Sequence, residues 1–476
     1  MAFQRLAICC LLLALSGCAT VETQRAPTRA TEAANPGLLE AKTLAAGHAA
    51  LSGQARRDNA ARIQALLAQL DDATLVRAAG GLAEGDPLYN FAGRALLDRG
   101  LPLPRAFDRD GASFGAADRP AADRDGYRPP LKVGLLLPLS GSQAAAANAV
   151  RDGYLAGYYG EERRRPQLRF YDSAAGARTA YDRAVADDND LVVGPLGRDE
   201  VDALFADQAL PVPVLALNRG NRMPQPGSAG FSLSPEDEGV SLARYLIDRG
   251  ARNVLIVAGS DDSQRRTAGA ARAQLEQRGV RIAASLDWRD DLTGALRQAA
   301  GAGVDGVLLS LRGNHARALA PQLAAAGLAQ VTTVAGSQIT SGTGKASEDA
   351  VLDGIVHPIE TWSVRGVAGL PSQASAAARV ATARGPAARL FAFGYDAWLL
   401  TAYLDRLAHA ANADVAGATG RLSLDGFGVV VRQPSWSRFS GGETSKVLAR
   451  PAARTSLRRL PASTEAMPPP NAAPAR

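Results

Sequence analysis

The sequence predicts an α/β protein, two doubly wound, Rossmann-like lobes preceded by a small all-α region. Three observations carry this. Leu131 to Tyr159, LKVGLLLPLSGSQAAAANAVRDGYLAGYY, couples a strand apolar on both faces to a small-residue turn and a long helix, the opening βα unit of a helix-covered parallel sheet. Short apolar runs then alternate with helical periods as far as Leu233. A second stretch, from Glu236 to Val334, repeats the alternation.

Taken from its start, the chain opens on one basic residue, Arg5, an apolar run Leu6 to Leu15, and the string Leu15-Ser16-Gly17-Cys18. The run is too short to stay in a bilayer as a spanning helix. Small residues before a cysteine resemble the lipobox of bacterial lipoprotein signals, which implies that residues 1–17 leave as a signal peptide and that Cys18 is the lipid attachment site. Ala19 stands where an Asp would retain the protein at the inner membrane, so the expected location is the outer membrane, lipid-anchored and facing the periplasm. Cys9 and Cys10 leave with the signal, and no thiol then remains to form a disulfide. A chain of 476 residues is long enough to rely on its core instead. Of the formal charge of +6, the last 36 residues hold +4, six basic side chains against two acidic ones. The remainder is nearly neutral, which argues against a nucleic-acid surface.

Residues 18–36 are rich in Thr, Ala and Pro and read as a tether. From 37 to 102 the apolar residues take helical spacing, with Asp86-Pro87 as a helix start, and three or four short helices are expected there. Residues 103–130 carry Pro, Gly, Asp and Arg in place of a periodic core and read as a linker whose removal should spare stability. The two-lobed domain is expected over 131–440. Lobe 1 takes about 131–233 and 335–412, and lobe 2 about 234–334 and 413–440. A long helix carrying Phe391, Tyr395, Trp398, Ala402 and Leu407 is expected against lobe 1, and Gly420 to Phe439 reads as a hairpin around Asp425-Gly426. Residues 441–476 read as a basic, Pro/Ala-rich disordered tail.

Catalytic machinery is sparse. His48, His315, His357 and His409 are scattered, with neither an HExxH pair nor cysteine partners, so no metal and no cofactor is expected. No nucleophile elbow is expected either. Gly342-Thr343-Gly344-Lys345-Ala346 looks like a phosphate loop, but Ile339 replaces its first Gly and Ala346 its Ser or Thr, and it reads as an exposed loop. Sheets of this kind bind ligands beyond the carboxyl ends of their strands. The candidate cleft-lining residues are therefore Ser140, Gly141, Ser142, Asp172, Ser173, Gly194, Pro195 and Asn218, with Ser260 and Asp261 from lobe 2. Each is also what a strand-to-helix turn needs. Turn chemistry is the preferred reading, because no arginine or aromatic clamp accompanies them.

Two such lobes joined by crossing segments resemble the type I periplasmic-binding-protein fold. More narrowly, LKVGLLLPLSG, VVGPLGRDEVDAL, FSLSPEDE, SQITSG and GATGRLSLD together resemble the LppC family across 131–440. The resemblance implies a non-enzymatic outer-membrane lipoprotein that binds and activates a class A penicillin-binding protein. The helical region at 37–102 is shorter than the long tetratricopeptide-like domain that the resemblance implies. On the fold alone, a lipid-anchored receptor for a small solute such as an amino acid or peptide fragment is the alternative.

Overall fold

The computed structural model describes residues 35–447 except 52, 109–113, 115–118, 207–209, 226 and 342–344. The signal peptide, Cys18, the tether up to residue 34, the tail from 448 and Gly342 to Gly344 of the phosphate-loop look-alike lie outside the described residues. Contacts divide the chain after Leu67. In the first unit, α1 (Pro36–His48) begins with Pro36 behind an Asn35 cap that accepts from Gly37 N at 2.9 Å. Asn59 on α2 (Gly53–Ala68) donates to the Leu44 carbonyl at 3.1 Å, and Arg62 pairs with Glu40 at 2.8 Å. The helical region is thus shared, because α3 (Asp72–Gly80) and α4 (Tyr89–Asp98) belong to the second unit.

The second unit holds both lobes. In lobe 1, β1 (Lys132–Leu137) is covered on both faces, as its unbroken apolar run requires. Val133, Leu135 and Leu137 pack against α5 (Ala144–Gly160), while Leu136 packs against α6 (Ala177–Ala186) and α7 (Arg198–Leu204). With β2 (Gln167–Asp172), β3 (Leu191–Val193), β4 (Val214–Ala216) and β5 (Ala229–Gly230), it forms a parallel sheet of order β2-β1-β3-β4-β5. The strand expected at Phe231 to Leu233 is instead Ala229–Gly230. Phe231 still donates its N–H to Ala216 O at 2.8 Å, and its ring stacks on Phe393 at 4.4 Å.

Lobe 2 follows with α8 (Pro235–Ile247), β6 (Asn253–Ala258), α9 (Asp262–Gln277), β7 (Arg281–Asp287), α10 (Thr293–Gly301), β8 (Gly306–Ser310), α11 (Gly313–Ala325) and β9 (Thr332–Ala335). After the short α12 (Ala346–Asp349), β10 (Val356–Ile359) joins this sheet beside β9. The chain returns to lobe 1 through α13 (Thr361–Arg365), α14 (Gln373–Arg379) and α15 (Ala388–His409), the long helix, which lies against α5 as expected. β11 (Val415–Ala416), β12 (Arg421–Leu424) and β13 (Val430–Gln433) make a small antiparallel sheet, and β14 (Ser435–Ser440) and β15 (Glu443–Lys446) complete the second sheet as β15-β14-β10-β9-β8-β6-β7.

These placements move the expected crossings. The second falls after β10, at Glu360, and the third after β13, at Pro434, rather than at 335 and 413. Pro358 inside β10 erases its strand signature. The hairpin is present, but Leu422, Leu424 and Val430 are buried in lobe 1's core, and Gly230 N donates to Gly428 O at 2.8 Å. The tail begins later than expected, since Glu443–Lys446 is a strand.

The linker reading of 103–130 also changes. Leu103, Phe107, Phe114 and Tyr127 are buried, and the Arg119 guanidinium, 1 % exposed, is paired with Asp405 of α15. Arg128 N donates to Ala402 O at 2.8 Å. A segment without periodicity docks here through single anchors.

Candidate functional site

The parallel register brings the ends of β1 to β4 to one edge of lobe 1's sheet. Ser140, Gly141 and Ser142 follow β1, Asp172 and Ser173 end β2, Gly194 and Pro195 follow β3, and Asn218 follows β4. Their polar atoms are largely occupied by the turns themselves. Asp172 accepts from Leu139 N at 3.0 Å, Ser140 Oγ at 2.7 Å and Ala174 N at 3.0 Å. The Ala174 amide and the Ser140 hydroxyl hold its carboxyl below the usual range. Asn218 donates to Leu196 O at 2.7 Å and accepts from Arg219 N at 2.8 Å. A side chain at Gly194 is impossible, because a Cβ would stand 1.9 Å from Leu136 O. The Ser173 hydroxyl is buried with no partner among the described residues. In lobe 2, Ser260 O accepts from Arg265 and Asp261 pairs with Arg312 at 2.8 Å.

The first turn of α8 supplies what sequence reasoning missed. Ser234 caps it, accepting from Asp237 N at 3.1 Å, and three carboxylates follow. Glu236 takes both arms of Arg266 at 2.9 Å, and Asp237 takes Arg219 of lobe 1 at 2.8 Å and Ser232 Oγ at 3.0 Å. Glu238 is buried and accepts from Ser337 N at 2.9 Å, Ser337 Oγ at 2.7 Å and Arg389 Nη2 at 3.1 Å. Burial pushes the Glu238 carboxyl up, yet Arg389 and Ser337 outweigh it and hold the group below the usual glutamate range. Arg389, from the start of α15, also pairs with Glu360 at 3.2 Å.

Beside this cluster lies a cavity of about 660 Å³. Its walls include Ser337, Asp349, Glu360, Trp362, Arg389 and Glu443, and none of the residues expected to line the cleft. Trp362 is fixed by its indole N–H to Pro371 O at 2.7 Å and stacks on Phe391 at 5.2 Å. Size and mixed lining suit a small polar ligand. FSLSPEDE and SQITSG contain Glu238 and Ser337, but their roles depend on Arg389, more than fifty residues away in the chain and without a local signal.

Among the described residues no group of three or more His, Cys, Asp or Glu could hold a metal ion. His315 stacks on Trp288 at 5.0 Å, His357 is buried against Phe439, and His409 Nδ1 donates to Asp405 O at 2.8 Å. The string Gly111-Ala112-Ser113-Phe114-Gly115 has the spacing of a nucleophile elbow. Only Phe114 of it is described, and among the described residues no strand precedes it, whereas such an elbow follows one.

The LppC lipoprotein family model matches residues 127–286 and 274–442. The penicillin-binding protein activator LpoA of Photobacterium profundum is 26% identical over 350 residues, covering 65% of this chain and 56% of its own length. The chain thus spans about half the length of the curated relatives it matches. The C-domain of LpoA from Haemophilus influenzae, described as a regulator of PBP1A, superposes with TM-score 0.58 at 22% identity, over 67% of this chain and all of that one. A branched-chain amino acid ABC transporter protein from Chromobacterium violaceum gives 0.53 at 27% identity, over 65% and 99%. Two such lobes, three crossings and a family match over most of their length lead to one assignment: this chain belongs to the LppC family of lipoproteins.

Proposed function

We propose that this protein is an outer-membrane lipoprotein that binds and activates a class A penicillin-binding protein and has no catalytic activity of its own. The observation that carries the reading is the family match across both lobes, whose relatives are named penicillin-binding protein activators. The turns support it, since Asp172 and Asn218 at the strand ends spend their polar atoms on neighbouring backbone and on Ser140. The physical route is population shift, in which a synthase bound better in its active arrangement is driven toward it. The anchor would be the acylated Cys18, and no described helix is long and apolar enough to cross a membrane. In a purified assay the protein should raise glycan polymerisation or crosslinking by a class A synthase. Unchanged turnover at saturating protein, with every class A synthase of the host, would remove the proposal.

The 660 Å³ cavity favours a second reading, a lipid-anchored receptor for a small solute such as an amino acid or peptide fragment. A cavity ligand at a hundred times its Kd should stabilise the protein by about 2.7 kcal/mol. Thermal melts against amino acids and short peptides would show it, and a flat series counts against it.

A further inference from the structure

Two lobes joined by three chain crossings keep a variable angle unless something else spans them. Here α3 and α4 do. Toward lobe 2, Asp72 Oδ1 takes Arg278, the residue after α9, at 3.3 Å and Arg99 at 3.0 Å, and Arg244 of α8 donates to Leu97 O at 3.3 Å. Gly100 lies so close to Arg244 that a Cβ would stand 1.8 Å from its guanidinium. Toward lobe 1, Phe91 packs on Phe427 at 4.8 Å, and Arg94 reaches the buried Asp425 at 3.4 Å in the turn between β12 and β13. That turn is part of lobe 1, because its neighbour Gly428 bonds to β5.

The chain then holds the same grip along α15. Asn412 brackets Leu103, accepting from its N–H at 2.6 Å and donating to its carbonyl at 3.0 Å. Arg119 and Arg128 both pair with Asp405. The seam carries its own ties, Arg219 to Asp237 and Arg389 to Glu238.

We propose that α3, α4 and residues 99–108 form a strap that locks the two lobes at one angle, so that the protein presents a fixed surface made by both lobes. Rotation about the crossings would leave the helix pair bonded to one lobe and tear it from the other. On the lobe 1 side that uncovers Asp425, a buried charge whose partner would be withdrawn. On the lobe 2 side it breaks Arg278 and Arg244 from their acceptors. The seam would also have to part Arg389 from Glu238 and Arg219 from Asp237.

The test releases lobe 2 from the strap at the partly buried Arg244 and Arg278. In the R244A/R278A double variant, built in the Cys18→Ser background with spin labels on T179C of lobe 1 and A329C of lobe 2, both exposed, the interlobe distance distribution should be at least twofold broader than in the labelled parent, with far-UV circular dichroism unchanged. An equal width in the two proteins would overturn the strap. Should the double variant fail to fold, the charge-conserving R244K/R278K pair replaces it with the same two outcomes. A measurement on the parent stands independently. There the interlobe distance between labels at 179 and 329 should be one narrow peak, no broader than the distance within lobe 2 between labels on R272C and A329C. An interlobe distribution at least twofold broader than the one within lobe 2 would mean that the seam opens freely and would overturn the lock without any variant.

Discussion

Asp396, in the middle of α15, is fully buried and accepts from Ala418 N, Thr419 N and Thr419 Oγ1, which pins the segment entering β12 to lobe 1. Burial outweighs these donors and pushes its carboxyl up from 3.8 to about 7. The folded protein therefore holds this proton at a pH where the unfolded chain has released it. Its contribution is fully present below the unfolded value and is lost as pH rises through about 7, by about 4 kcal/mol at most, at 1.36 kcal/mol per unit. His357 acts in the other direction. It is buried with Nδ1 donating to Pro358 O at 3.1 Å, and burial lowers it from 6.5. Its contribution is present above 6.5 and is lost as pH falls below it. The slopes oppose each other below 6.5, so each is read as a difference in urea-unfolding free energy between variant and parent. Asp396→Asn should remove the loss toward pH 7 while lowering stability overall, because an amide cannot accept from all three donors. His357→Leu should remove the loss on the acid side. Neither residue was legible as special in the sequence, since an Asp in a helix period and a lone His look like surface until tertiary packing closes over them.

At the scale of elements, α5 and α15 meet backbone to backbone. A Cβ on Gly394 would stand 1.9 Å from Val150 O and one on Gly153 1.8 Å from Phe391 O. Gly394→Ala gains about 1 kcal/mol of helix propensity and loses about 1–3 kcal/mol or more to overpacking that no rotamer relieves. The loss wins, and the urea midpoint should fall. Gly269, inside α9 with nothing within 4 Å of its would-be Cβ, is the control, and Gly269→Ala should stabilise by about 1 kcal/mol. Elements of this kind were readable where one period ran unbroken. The apolar run of β1 and the alternation from Glu236 to Val334 are present, and the stripe from Phe391 to Leu407 lies inside the helix Ala388–His409. β10 was not readable, because Val356-His357-Pro358-Ile359 offers neither alternation nor an unbroken apolar run, and its strand character comes from β9 and β14 on either side. Of the strand-end residues, Asp172 and Asn218 bond to neighbouring backbone, while the Ser173 hydroxyl is buried with no partner among the described residues. The Glu238, Ser337 and Arg389 cluster was not legible in the sequence, since three distant segments must fold before those side chains meet.

At the scale of the whole molecule, anchoring and folding separate in Cys18→Ser. The acyl chains would supply the membrane affinity, so the variant should fold as the parent does and leave the outer-membrane pellet on fractionation. Persistence there after high-salt washing would defeat the lipoprotein reading. Residues 103–128 behave differently from what their composition suggests. Read as a linker with Pro, Gly, Asp and Arg in place of a periodic core, they should be dispensable for stability. The structure spends them on lobe 1. Leu103, Phe107, Phe114 and Tyr127 are buried, and at about 1.5–3 kcal/mol each their removal costs about 6–12 kcal/mol. That equals the whole stability of an ordinary domain, about 5–15 kcal/mol. It would also expose the face of α15 they cover and strand Asp405 without its two arginines. Deleting 103–128 should therefore abolish the cooperative urea transition or move it to a far lower midpoint, in the anchored protein and in the Cys18→Ser background alike. If the deletion instead leaves the midpoint unchanged, these anchors contribute nothing net and the segment is a spacer after all. If it unfolds lobe 1, reach toward the synthase must come from the residues between Cys18 and α1, and lengthening or shortening that stretch, with the lobes intact, becomes the variant that tunes activation in cells.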